Sequence, residues 1–177
     1  MADFAAAFEH TMKAEGGYVF DPADPGGETY KGIARKPNPK WEGWPLVDQM
    51  KRRPNFPRNL DTEATLQKLV RDFYELNYWD RVRGDELTHQ DVAESIFDFA
   101  VNAGPITSIK LAQITVGVAA DGALGPATLA KINADDPRAF LAVFALNKIG
   151  RYVSICDNRP ESRKFFYGWV KRTLEGL

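Results

Sequence analysis

One cysteine and two histidines in 177 residues close several routes at once. Cys156 has no partner for an intramolecular disulfide, so no disulfide framework holds the fold. Flanked by Ile155 and Asp157, it reads as a helical core or surface thiol. His10 and His89 match no metal-ligand spacing, and no metal or other cofactor is implied. No glycine-rich phosphate cradle and no nucleophile elbow is present. No apolar run approaches membrane-spanning length, so no stable membrane insertion is expected. Met1-Ala2-Asp3-Phe4 offers neither a basic n-region nor an apolar h-region, and no signal peptide is visible. The chain is expected to be made in the cytoplasm, and to act outside only if another component releases it. The net charge of −1 creates no strong field toward nucleic acid or membrane. Residues 1–95 carry 13 basic and 17 acidic side chains, and residues 96–177 carry 10 and 7. The second half is therefore mildly basic (+3), which would help hold an anionic polymer and is also within ordinary scatter.

What the chain does have is a helical pattern. Hydrophobic residues make up 44%, enough for a core. The spacing predicts helices over residues 3–15, 61–79 (Asp61 as N-cap, with Leu66, Leu69, Val70 and Phe73 inward), 90–103, 106–116, 127–133, 137–156 and 160–174. Gly104-Pro105 stops one of them and Asp121-Gly122 makes a turn. Residues 18–60 differ: the run from Phe20 to Gly27 is turn-rich, and residues 28–33 read as one arm of a hairpin. Residues 35–60 hold five prolines and two tryptophans, predicting irregular structure with one short helix. The expected class is mainly α, with a small irregular or β-containing lobe after the first helix.

One acid stands out. Phe4, Phe8, Met12 and Glu15 fall within a sector of roughly 80° on the first helix, which puts Glu15 on the apolar stripe. Desolvation disfavours its anion, and so does the negative end of the helix dipole. Both push toward a carboxylic acid able to donate a proton near neutral pH. The alternative is a helix-end glutamate paired with Lys13 or Lys31. His10, about 140° away around the helix, should face solvent.

The segment Glu15-Gly16-Gly17-Tyr18-Val19-Phe20-Asp21-Pro22-Ala23-Asp24-Pro25-Gly26-Gly27-Glu28-Thr29-Tyr30-Lys31-Gly32-Ile33 resembles the signature of glycoside hydrolase family 108, lysozyme-like N-acetylmuramidases of phage endolysins and secretion-associated loci. Residues 97–104, 121–129 and 167–172 look like the predicted peptidoglycan-binding module that follows the catalytic segment in that family. The resemblance implies a lysozyme-like helical fold, with a muramidase segment over 1–95 and a binding module over 96–177 packed with it as one compact unit. It implies peptidoglycan glycan strands as substrate, cut at the β-1,4 link between N-acetylmuramic acid and N-acetylglucosamine, with a holin or an export machinery as the partner for release. Glu15 matches the family's catalytic glutamate.

For the group across the sugar ring, Asp24 is the first candidate and Asp21 the second; both also suit Asx turns. In phage-type lysozymes a helix-end Glu is followed nine positions on by Asp and six further by Thr. Glu15 and Asp24 keep that spacing, whereas Thr29 falls one short and Tyr30 takes the sixth position. Thr29 would orient a water held by Asp24, or be a strand residue only. Tyr18 and Tyr30 are candidates for stacking on sugar, and Gly26 and Gly27 for close approach of backbone to it. Trp41 and Trp44 are candidates for lining a subsite. Trp79 and Trp169, on helical patterns, are expected in the core.

Overall fold

The computed structural model describes residues 1–12, 16–21 and 27–176. Its order is α1 (Phe4–Met12), β1 (Tyr18–Phe20), β2 (Glu28–Tyr30), β3 (Ile33–Ala34), α2 (Gly43–Met50), α3 (Ala64–Tyr74), α4 (Gln90–Ala103), α5 (Pro105–Thr115), α6 (Pro126–Ala134), α7 (Pro137–Asn158) and α8 (Arg163–Glu175). The class is mainly α with a small antiparallel sheet after the first helix. The chain forms two compact units, one of residues 8–77 and one of residues 1–7 with 78–177.

In the unit of residues 8–77 the sheet order is β1-β2-β3. Tyr18 pairs with Tyr30, Val19 with Thr29 and Phe20 with Glu28, while Thr29 pairs with Ala34. Lys31 (φ 43°) and Gly32 (φ 77°) both lie in the left-handed region, as a two-residue hairpin turn matched to strand twist requires. Residues 28–33 are therefore not one hairpin arm. They hold a strand, a turn and the start of the next strand. α3 buries Leu66, Val70 and Tyr74, four residues apart, while Leu69 and Phe73 are half-buried. Its N-cap is Glu63, not Asp61. Asp61 sits in the preceding 3-10 turn, Arg58–Thr62, where its carboxylate lies 3.8 Å from the Lys31 ammonium. A π-helical turn, Glu75–Trp79, follows α3.

In the other unit, α4 spans the predicted residues and buries Val92, Ala93, Ile96, Phe97, Phe99 and Ala100. Ser108, at the buried seam with α5, donates to the Ile96 carbonyl at 2.7 Å. α5, α6 and α7 each begin at a proline, whose fixed φ and missing N–H suit the first helical position. Residues 160–162 form a 3-10 turn, so α8 starts three residues later than the pattern predicts. The Asp121 carboxylate accepts from the Ala123 N–H at 2.8 Å and from Gln113 at 2.7 Å, which makes Asp121-Gly122 an Asx turn. Trp79 is buried against Phe4 and Phe97, whereas Trp169 is only half-buried. One expectation needs correcting: α7, at 22 residues, is long and apolar enough by length and composition to cross a membrane. Here it packs on α4, α5 and α8 with Lys148 buried along it.

Candidate active site

Two of the sequence-derived candidates, Glu15 and Asp24, lie outside the described residues, as does Gly26. The described strands that adjoin them in the chain form the three-stranded sheet. Glu15 precedes β1 by three residues, and Asp24 stands midway in the connection from Phe20 to Glu28.

Alternation along β2 decides its side chains. Glu28 and Tyr30 are buried on one face, and Thr29 is half-exposed on the other. Tyr30 is 1% exposed. Its hydroxyl accepts from Gln67 Nε2 at 2.8 Å, and burial above all pushes its pKa up to about 12. Its ring is thus a core element and offers no face to a sugar. Tyr18 is half-buried, edge-on to Phe56 at 4.7 Å between centroids. Burial first, then the Glu28 carboxylate, raises the pKa of its hydroxyl. Gly27 is buried with φ 68°, and a Cβ there would meet the Lys36 side chain at 3.3 Å. Asp21 is exposed directly after β1, beside exposed Val19 and Phe20.

The tryptophan candidates pack inward. Trp44 is on α2, not in a loop, and is 3% exposed. Its indole donates to the Asn38 carbonyl at 2.8 Å, and the Arg35 guanidinium covers its ring at 4.4 Å. Trp41 is half-buried, edge-on to Trp44 and Phe73, over a Gly43 that has no room for a Cβ.

Sequence reasoning overlooked Glu28 as an anchor of the sheet. It is a 7% exposed carboxylate whose two oxygens meet Arg35 Nε at 2.8 Å and Lys51 Nζ at 2.5 Å. Arg35 also grips Asp48 through both terminal nitrogens, at 3.1 and 2.7 Å. That bond holds the Asp48 carboxyl below the usual carboxylate range. Two carboxylates and two cations thus tie the sheet to α2. Gln67 was also missed. It donates to the Tyr30 hydroxyl and to the Leu60 carbonyl (2.7 Å), and accepts from Lys31 at 2.6 Å. No periodicity marks either residue. Only the position of Glu28 inside the Glu15–Ile33 run could have drawn attention to it. Among the described residues no cluster of three or more His, Cys, Asp or Glu is placed to hold a metal ion.

The family model described as Glycosyl hydrolase 108 matches residues 8–104, more than half of the chain. The chain belongs to the glycosyl hydrolase 108 family. The model described as Predicted Peptidoglycan domain matches residues 107–174, where α5 to α8 lie. Among solved structures, Brucella abortus SagA is similar over 98% of this chain and 90% of that one, at 29% identity and a TM-score of 0.71. No curated protein matches. A lysozyme-like, mainly α fold accords with family membership, and the two family matches together support a glycosidase that acts on peptidoglycan.

Proposed function

We propose that this glycosyl hydrolase 108 member is an N-acetylmuramidase, cutting the β-1,4 bond between N-acetylmuramic acid and N-acetylglucosamine. Glu15 donates the proton to the glycosidic oxygen. Asp24, with Asp21 second in line, supplies the carboxylate across the ring. Thr29 orients the water that Asp24 activates, which gives inversion at the anomeric carbon. The observation that carries this reading is the unbroken Glu15–Ile33 run, in register with the family signature and inside the matched stretch.

Position in the chain supports it. In the chain Glu15 stands three residues before Tyr18, the start of β1, and Asp24 four residues before Glu28, the start of β2. The mid-strand position of Thr29, paired with Val19 on one side and Ala34 on the other, gives its hydroxyl a rigid base. Release through a holin or a dedicated export route brings the chain to the wall.

The test incubates purified sacculi with wild type and with Glu15→Gln, and reads the released fragments by mass spectrometry. Muropeptides with muramic-acid reducing ends should come from wild type alone. Equal release by Glu15→Gln, or peptide fragments with intact glycans, overturns the proposal. The anomer first formed, read by NMR, separates inversion from retention.

A further inference from the structure

Far along the sequence from the Glu15–Ile33 run, α4, α7 and α8 enclose a cavity of about 310 Å³ lined by Phe99, Asn102, Arg151, Tyr152, Trp169 and Arg172, among others. Its size is at the small end of ligand pockets. Its aromatic rings form a ladder. Phe99 to Tyr152, Tyr152 to Trp169 and Trp169 to Phe165 are 6.4, 5.3 and 5.9 Å apart between centroids. The last two pairs are tilted by only 35° and 31°. Phe99 is buried and Phe165 is 51% exposed, so the ladder runs from core to solvent. Aromatic faces of this kind pack on the C–H faces of pyranose rings.

The charges are unbalanced. Two guanidiniums, Arg151 and Arg172, line the cavity, and one carboxylate, Asp98, pairs with Arg172, which leaves a net of +1. Arg172 holds Asp98 at 2.7 Å, while exposed Arg151 has no ion pair among the described residues. A guanidinium beside an aromatic wall is a fork for a carboxylate. Asn102, whose amide donates to the Asp98 carbonyl at 2.8 Å, keeps its own carbonyl oxygen for an incoming N–H.

We propose that this cavity binds the peptide-bearing muramoyl unit of peptidoglycan, with a sugar ring on Trp169 and Tyr152 and a stem-peptide carboxylate on Arg151. The choice of ligand rests on the peptidoglycan-acting reading above; the anionic, ring-bearing character comes from the cavity itself. The site discriminates against neutral glycan, which has no group for Arg151.

The test uses the full wild-type chain with two probes: muramyl dipeptide, which contains no glycosidic bond to cut, and the neutral diacetylchitobiose. Muramyl dipeptide should shift the Trp169 indole N–H resonance, assigned with Trp169→Phe. Arg151→Gln should weaken its affinity by about tenfold, the worth of one charge-assisted contact. Diacetylchitobiose should bind both forms equally. Arg151 is exposed, so the variant should keep its unfolding midpoint. An unmoved Trp169 resonance, equal muramyl dipeptide affinity in Arg151→Gln, or equal loss of diacetylchitobiose binding overturns the proposal. Sacculus hydrolysis is read separately: its absence sinks the muramidase assignment and leaves the Trp169 shift standing.

Discussion

Replacing Lys148 by methionine tests the electrostatics of the α4–α7–α8 cluster directly. Lys148 is 6% exposed, with its ammonium 2.9 Å from Ser95 Oγ and 4.6 Å from the Phe144 ring centre. Burial first, with Asp98 opposing and Arg172 adding, lowers its pKa from 10.5 to about 8. At about 1.36 kcal/mol per tenfold change in proton affinity, that is a cost of about 3 kcal/mol for the charged folded form. Below pH 8 both folded and unfolded chains carry the proton, and the folded one bears the full cost. Between pH 8 and 10.5 the folded state releases it first, so the cost fades as pH rises. Above 10.5 it is gone. Methionine keeps the length and packs well against rings, but loses the Ser95 bond, worth about 1 kcal/mol. Lys148→Met should therefore be more stable than wild type by about 2 kcal/mol at pH 7 and slightly less stable near pH 11. Denaturant titrations of both proteins across that range give the difference, in which the other alkaline titrations largely cancel. A difference that stays flat with pH would refute the reasoning.

Three further substitutions probe the frame of the candidate active site and the second unit. Gln67→Ala leaves the buried Tyr30 hydroxyl and Leu60 carbonyl without their donor and should cost about 2–3 kcal/mol, read as a lowered urea midpoint. An unchanged midpoint would show that water replaces the amide. Gly27→Ala forces a side chain onto φ 68°, at about 1–2 kcal/mol, and should lower sacculus hydrolysis through the adjoining loop; full activity would mean that the loop does not depend on this turn. Gly84→Ala would drive a Cβ into the Trp79 indole, itself held between Phe4 and Phe97. A loss of more than about 3 kcal/mol is expected, and calorimetry showing a wild-type transition would contradict it.

The arrangement divides the work plainly. The sheet carrying Thr29 is fastened by charge at Glu28, through Arg35, Asp48 and Lys51. At Tyr30 and Lys31 it is fastened by hydrogen bonds, through Gln67 and Tyr74. Neither network is aimed at chemistry. Both hold the strands Tyr18–Phe20 and Glu28–Tyr30 that lie within the Glu15–Ile33 run.

The sequence alone determined the class, the bounds of α4, the start of α7 at Pro137 and the Asp121-Gly122 turn. Each of these is written in a few neighbouring residues, as a period, a cap or a forced φ. The same holds for family membership, because the Glu15–Ile33 run is contiguous. The destinations of side chains were decided by tertiary structure. The fates of Tyr30 and Trp44 depend on which face of a strand or helix meets the core. Glu28 depends on cations 7 and 23 residues away (Arg35, Lys51). The ladder through Phe99, Tyr152 and Trp169 joins three helices across 70 residues. No local pattern encodes such meetings, because burial and pairing are properties of the neighbours that folding brings together.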